Sequence, residues 1–468
     1  MPANSLKKAS VYYLIGNLFN KGFAFLTVPI FTRILSTTDY GIVTTYNSWI
    51  AILSIIMGFA LHMGIRAAFV DYKDKINDVM SSTTTFILAC GGLLCLFIGL
   101  GSLLIHVDVN LTLIILCLLH GIAAALVQNY TMYLMMQYKY KFRTALMILP
   151  NLISVLLSVA AILFIVKTDL YMGRIIPTAL VNIAFGVFIV ILVYRKSHIF
   201  LNKQYIKYTL AISAPLMLHG IALSVLSQSD RMMITSLADA SQTGIYSLIY
   251  NFSMIATVIT TSLDGVWVPW FTEKLVRRDI KSINRLAKDY IHLMTYAMVG
   301  VILVGPEIVK LLASEKYWEG ISIIPPIVLA NYIIFAYTMY VNVEHFHKKT
   351  PYITVNTLIA AVLNIVLNYL FIPHFGYVAA AYTTLASYFI AFVLHSFYAK
   401  KLEQDLYPLK FFILPIIHIL FTVVVFYIFI DFWFLRWLIV CIYFAAMAFI
   451  ERNRIKAFFP SIKNRFHH

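Results

Sequence analysis

The chain has 468 residues, 61% hydrophobic and only 12% charged, with a formal net charge of +16 and a mean hydropathy of +0.84. Soluble domains carry about a quarter charged residues, so this composition excludes one and requires an integral membrane protein. Backbone in hydrocarbon must close its own hydrogen bonds, which leaves helices or closed barrels, and runs such as LLCLFIGLGSLL (93–104) lack the alternation of a barrel strand.

A helix needs about 20 apolar residues to cross the hydrocarbon core. The chain offers fourteen such segments, at 11–32, 42–65, 83–105, 110–135, 146–166, 174–194, 209–228, 245–266, 289–312, 322–343, 352–372, 377–399, 411–430 and 432–450. The expected fold is an all-α integral membrane protein with about 14 transmembrane helices. Only Asp431 and its neighbours separate the last two segments, so 411–450 reads as a tight hairpin or as one span with a re-entrant piece. The long connection at 195–208 divides an N-terminal lobe, 1–200, from a C-terminal lobe, 201–400, each of six helices, with 401–468 as a helix pair and tail. A weak internal echo supports lobes related by a pseudo-two-fold axis. DYGIVTTYN (39–47) and QTGIYSLIYN (242–251) each follow an arginine, Arg33 or Arg231, and internal repeats build many transporters around a central site.

Polar residues within the spans fall on lines. In the first segment these are Tyr13, Asn17, Asn20, Lys21 and Thr27. Lys21 lies about 10 residues in, near mid-bilayer at about 1.5 Å per residue, where an unpaired ammonium costs at least about 2.5 kcal/mol. Arg66 closes the second segment, and Arg174 and Arg231 stand at the opposite membrane side. There, snorkelling competes with a planar fork gripping phosphate or sugar oxygens. In the eighth segment Tyr246, Tyr250, Ser253, Thr257, Thr260 and Asp264 follow steps of three and four, which is one helical stripe. Lipid cannot satisfy such groups, and a charge sits on the first and eighth stripes, so both are expected to line a cavity. Thr354, Thr357, Asn364 and Asn368 form a third stripe, read as glue between packed helices. The amphipathic stretch 267–288 is expected as a surface helix, with Trp267, Trp270, Phe271 and Leu275 in the interface and Lys274, Arg277 and Arg278 in water.

Orientation follows from charge. With the N terminus inside, 28 Lys and Arg fall on the inner side and 7 on the outer, so the positive-inside rule places both termini in the cytoplasm. The positive charge is thus spread over short loops that meet anionic lipid, and no nucleic-acid motif accompanies it. Cys90, Cys95, Cys117 and Cys441 lie in apolar spans without C-x-x-C spacing, as packing residues do. His62, His120, His219 and His418 are isolated in different segments, so no metal site is expected. The long first segment lacks a signal-peptide cleavage pattern. No nucleotide-binding loop and no catalytic constellation is present. ATP therefore drives no transport here and no cofactor is expected, and Asp264 and Glu344 are the candidate carboxylates for a coupling ion, H+ or Na+.

One block carries a family resemblance. In HKKTPYITVNTLIAAVLNIVLNYLFIPHFGYVAAAYTTLASY (347–388), Lys348, Lys349 and Thr350, then Asn364, Leu367 and Asn368, then Ile372, Pro373 and Gly376 resemble the KKT, NxxLN, IP and Gly of bacterial polysaccharide transporters. These are the O-antigen and capsule-unit flippases of the superfamily that also holds lipid II flippases and multidrug extruders. Val378 and Ala379 depart from it, standing where the family carries a second glycine. Weaker matches are Lys21, Gly22, Pro29, Arg33, Tyr40 and Gly41 near the start, Gly173, Arg174 and Ile175, Asp230 and Arg231 as DR, and Gly244 and Tyr246 as G-x-Y. The resemblance implies alternating access for an oligosaccharide on undecaprenyl pyrophosphate, an anion that Lys21, Arg66, Arg174 and Arg231 would meet with Asn17, Asn20 and Tyr250 beside them. It also implies a polysaccharide polymerase as partner. A cation-coupled drug extruder of the same fold is the alternative. A membrane polymerase or ligase fits less well, because every outer loop is about 16 residues or shorter.

Overall fold

The computed structural model describes residues 22, 23, 25–104 and 110–452. They form α1 (Phe25–Ile34), α2 (Thr37–Gly58), α3 (Leu61–Asp71), α4 (Ile76–Leu104), α5 (Leu111–Met136), α6 (Tyr140–Ala160), α7 (Leu170–Tyr194), α8 (Lys203–Leu237), α9 (Ala240–Val276), α10 (Ile280–Leu312), α11 (Ile324–Phe346), α12 (Thr350–Leu402), α13 (Lys410–Ile428) and α14 (Trp433–Ile450). No strand occurs among the described residues. Among the described residues, twelve helical stretches are long and apolar enough to cross a membrane, with α2 and α3 sharing one of them. The fourteen-segment, all-helical expectation agrees with this, since α12 contains two of the expected segments and α1 is the described part of the first. Lipid-type surfaces are explicit in α4, where Leu93, Leu96, Phe97 and Leu100 recur at helical spacing and are all exposed.

The chain divides into two compact units. One takes residues up to Leu248 together with Thr350–Ser387, and the other takes Ile249–Lys349 together with Tyr388 onward. These boundaries differ from the lobes drawn at residue 200. In the first unit, Ile65, Val79, Tyr130, Tyr133, Leu134, Ile189 and Tyr205 make a buried core. In the second, Arg436 is fully buried and its guanidinium bonds the Phe429 carbonyl at 3.0 Å, the Ile430 carbonyl and the Glu307 carboxylate. The carbonyls at the end of α13 thereby gain a donor, and residues 411–450 form a hairpin of two helices rather than a re-entrant span.

Residues 267–288 differ from expectation. Instead of a separate surface helix, α9 runs to Val276, the chain turns through Arg278 in the left-handed region (φ 56), and α10 starts at Ile280. Trp267, Phe271 and Leu275 are buried inside the protein. Trp267 packs against Phe271, Tyr290 and Tyr407 at ring-centroid distances of 5.8, 5.1 and 6.2 Å. Amphipathic spacing alone cannot tell a lipid interface from a protein core, and here aromatic packing partners take the apolar face. Asp279 caps α10 through the Ser282 amide at 3.2 Å. Hydrogen bonds from Lys274 first, then Ser282, hold its carboxyl down at about 2. A depressed carboxyl stabilises above its free value and loses this only as pH falls toward 2, so the cap persists at any physiological pH.

Candidate functional site: an intramembrane polar cluster

Two glycines set the geometry of the first unit. A Cβ on Gly41 of α2 would stand 1.7 Å from the Ala240 carbonyl oxygen, and one on Gly244 of α9 would stand 2.1 Å from that of Thr37. The obstructing atoms are backbone and cannot yield, so α2 and the start of α9 cross at a distance only glycine permits. Hydroxyls line this crossing. Thr37 meets Ser241 at 2.6 Å, Thr45 meets Thr235 at 2.6 Å, and Ser247 donates to Thr44 at 3.0 Å. The echoed sequences DYG and TGIY are therefore the two halves of one helix contact.

Gly376 sets the second feature. With φ 58 and ψ −145 it breaks α12, and the Gln242 side chain sits where its Cβ would go while accepting from the Tyr377 amide at 3.0 Å. The helix thus reverses into two arms, which brings Asn364 and Asn368 against Thr383 and Thr384.

Asp230 lies at the centre of these arms. It is 1% exposed, and its carboxylate accepts from the Tyr246 hydroxyl (2.6 Å), the Thr384 hydroxyl (2.6 Å) and the Asn368 amide (2.7 Å). Asn364 accepts from Ser229 at 2.9 Å and from Asn368 at 3.2 Å and donates to Thr384 at 3.3 Å, while Thr383 donates to Asn368. No ion pair to Asp230 occurs among the described residues. A buried carboxylate without a cation is costly, and three hydrogen bonds to the charged form reduce that cost. The acceptors gathered here are a carboxylate, two amide carbonyls and hydroxyls, all oxygen, which is the chemistry that suits a small hard cation.

The residues singled out from sequence are distributed as follows. Asn364 and Asn368 bond across helices, as the glue reading expects, and they also complete the Asp230 cluster. Arg231 is 6% exposed and turns back along α8 to the Ser227 carbonyl (3.1 Å) and Gln228 (3.0 Å). Arg174 donates to Ser158 at 3.1 Å and lies 4.2 Å over the Phe31 ring, while Arg66 is exposed. On α9, Tyr246 and Ser253 are fully buried, Thr257 donates to Asn331 at 3.0 Å, and Tyr250 and Asp264 are half-buried. Asn17, Asn20 and Lys21 lie outside the described residues. His120 and His418 pack within 3.2 Å of Tyr46 and Tyr443. Glu344 is fully buried in the second unit, 2.8 Å from His395. Sequence reasoning placed Asp230 just beyond the segment 209–228 and missed its role. The available signal was that α8 could run on to Leu237, since nothing in 229–237 stops a helix.

Comparisons with known proteins agree on family and fold. The family model described as "Polysaccharide biosynthesis protein" matches residues 6–274. Two proteins of Haemophilus influenzae are similar. A protein of the Lsg locus is 22% identical over 70% of this chain and 84% of its own length, and an uncharacterised membrane protein is 23% identical over 77% and 88%. Among solved structures, the lipid II flippase MurJ in an inward closed conformation aligns with a TM-score of 0.70 at 16% identity, covering 96% of this chain and 99% of its own. An inward-facing multidrug resistance MATE family transporter of the MOP superfamily aligns with a TM-score of 0.64 at 12% identity, covering 85% and 99%.

Proposed function

Because the chain belongs to the polysaccharide biosynthesis protein family, we propose that it is a flippase. It carries undecaprenyl-pyrophosphate-linked oligosaccharide repeat units across the bacterial cytoplasmic membrane by alternating access, for O-antigen, capsule or exopolysaccharide assembly. The observation that carries this reading is the family match over residues 6–274, supported by a fold similar to that of a lipid II flippase. The protein is not an enzyme in this reading. It moves its substrate unchanged and hands it to a polysaccharide polymerase on the far side. Lys21, Arg66, Arg174 and Arg231 are the cations for the pyrophosphate, with Asn17, Asn20 and Tyr250 beside them. A gradient of H+ or Na+ drives the cycle, with Asp264 and Glu344 as carboxylates and the oxygen set around Asp230 as a place where a hard cation fits.

Lys21 provides the direct test. An ammonium within a span persists when its desolvation is offset, and a pyrophosphate in a low-dielectric passage offsets it by Coulomb attraction. Lys21→Ala is expected to abolish surface glycan assembly in a flippase-deficient strain while the protein still accumulates in the membrane. Lys21→Arg, which keeps the charge but not the compact shape, is expected to retain part of the activity. Full complementation by Lys21→Ala at normal abundance refutes the role.

The charge bias supports a topology with both termini and residues 137–144, 195–208 and 267–288 in the cytoplasm. A cysteine at Lys203 should escape a membrane-impermeant thiol reagent added outside, and one at Ser241 should react; the reverse pattern overturns the topology.

A further inference from the structure

We propose that Glu344 and His395 form a proton-carrying pair that couples proton movement to transport, an inference that rests on the flippase reading above. The pair lies wholly in the second unit, near the ends of α11 and α12 that flank the connection 347–349 and residue Glu403. Glu344 Oε2 and His395 Nδ1 are 2.8 Å apart, and their side chains are 0% and 1% exposed. The other two polar atoms, Glu344 Oε1 and His395 Nε2, are both buried and have no hydrogen-bond partner. Buried polar groups are nearly always satisfied, so two orphaned atoms on one contacting pair call for an explanation.

Charge counting then assigns the proton. With Nδ1 protonated, Nε2 bare and Glu344 ionised, the pair carries one uncompensated negative charge, and no lysine or arginine bonds either residue among the described residues. Such a buried charge costs several kcal/mol. One further proton, on Nε2 or on the carboxyl, makes the pair neutral overall. With both side chains buried, the pair therefore holds that proton. It is released to water only when the site opens, because hydration must replace what the proton supplied. No bond other than the N–H or O–H forms or breaks.

Three tyrosines and one further histidine stand around the pair. Tyr337 of α11 stacks on His395 with centroids 5.5 Å apart at 18°, and Tyr388 of α12 stacks on Tyr337 at 6.1 Å and 12°. His345 follows Glu344 on α11 and interacts electrostatically with both members of the pair, and Tyr250 of α9 stands beside Tyr337. The stacked rings hold the imidazole plane, which fixes Nδ1 on the carboxylate and leaves Nε2 as the atom that exchanges.

Purified wild type and Glu344→Gln, each reconstituted in phosphatidylglycerol vesicles, are titrated with a pH indicator across neutrality. Wild type is expected to take up about one proton per chain more than the variant, and His395→Asn is expected to match Glu344→Gln. Equal uptake by wild type and Glu344→Gln overturns the site. The measurement needs no substrate, so it stands apart from failure of the flippase reading. In complementing cells, Glu344→Gln is expected to lower glycan export about tenfold, about 1.4 kcal/mol, because the pair no longer carries a proton, and to flatten its dependence on external pH. Gln keeps a hydrogen bond to Nδ1, so a purely structural pair would leave rate and pH profile unchanged. That result, at normal membrane abundance, overturns the coupling role.

Discussion

Replacing Asp230 with asparagine is expected to leave the protein in the membrane at near-normal abundance and to abolish glycan export. The amide is isosteric with the carboxylate. Its oxygen can take the position that accepts from both Tyr246 and Thr384 at 2.6 Å, and Asn368, displaced from the other oxygen, keeps its bond to Asn364 at 3.2 Å. The packing survives, and the negative charge is lost together with the one bond from Asn368. Asp230→Ala behaves differently. Three buried donors lose their acceptor at once, at about 1–3 kcal/mol each, a large share of the about 5–15 kcal/mol that holds a typical domain together, so this variant should also fall in abundance. Complementation of a flippase-deficient strain, with membrane levels measured by blot, separates the two. Normal export by Asp230→Asn would show that the carboxylate only crosslinks helices and would remove the cation-holding reading.

Glu307→Ala is expected to destabilise the protein more than Arg436→Met, although each removes the same ion pair. The Arg436 side chain is 1% exposed and that of Glu307 is 25% exposed. Removing Glu307 leaves a buried guanidinium with only the Phe429 and Ile430 carbonyls, and an uncompensated buried charge costs about 3–5 kcal/mol. Removing Arg436 leaves a carboxylate on a side chain that is already a quarter exposed, while Met fills much of the vacated volume. The Phe429 carbonyl also still accepts from the Phe432 amide at 3.0 Å. That loss should stay near the about 1–3 kcal/mol of an unmet hydrogen bond. The double variant should recover part of the Glu307→Ala loss, because the stranded charge is gone. Unfolding midpoints of the purified variants in detergent decide the order. A larger loss in Arg436→Met would mean that capping the end of α13, not charge pairing, is the main contribution.

The candidate site was legible in parts. Asn364 and Asn368 stood out because an amide in an apolar run must face protein. Asp230 stood out only as part of the DR match and not as an intramembrane carboxylate, because its charge stands at the end of a hydrophobic run although the helix continues to Leu237. His395 was equally silent, since a single histidine in a span reads as packing until its neighbour is known. Trp267, Phe271 and Leu275 misled for a related reason: apolar periodicity reports that a face is buried but not by what.

By itself the sequence determined the solvent, the helical class, the number of spans and the charge asymmetry across the membrane. Each of these depends on composition summed over about 20 residues, and the hydrocarbon core leaves the backbone no alternative to helices once barrels are excluded. The tertiary structure alone decided which polar residues meet. Asp230 and Asn368 are 138 residues apart, Glu344 and His395 are 51 apart, and Glu307 and Arg436 are 129 apart. A glycine crossing at Gly41 and Gly244, a left-handed break at Gly376 and a hairpin at 429–432 bring distant groups together. Such contacts are set by backbone approach and side-chain direction in three dimensions, which no local pattern along the chain encodes.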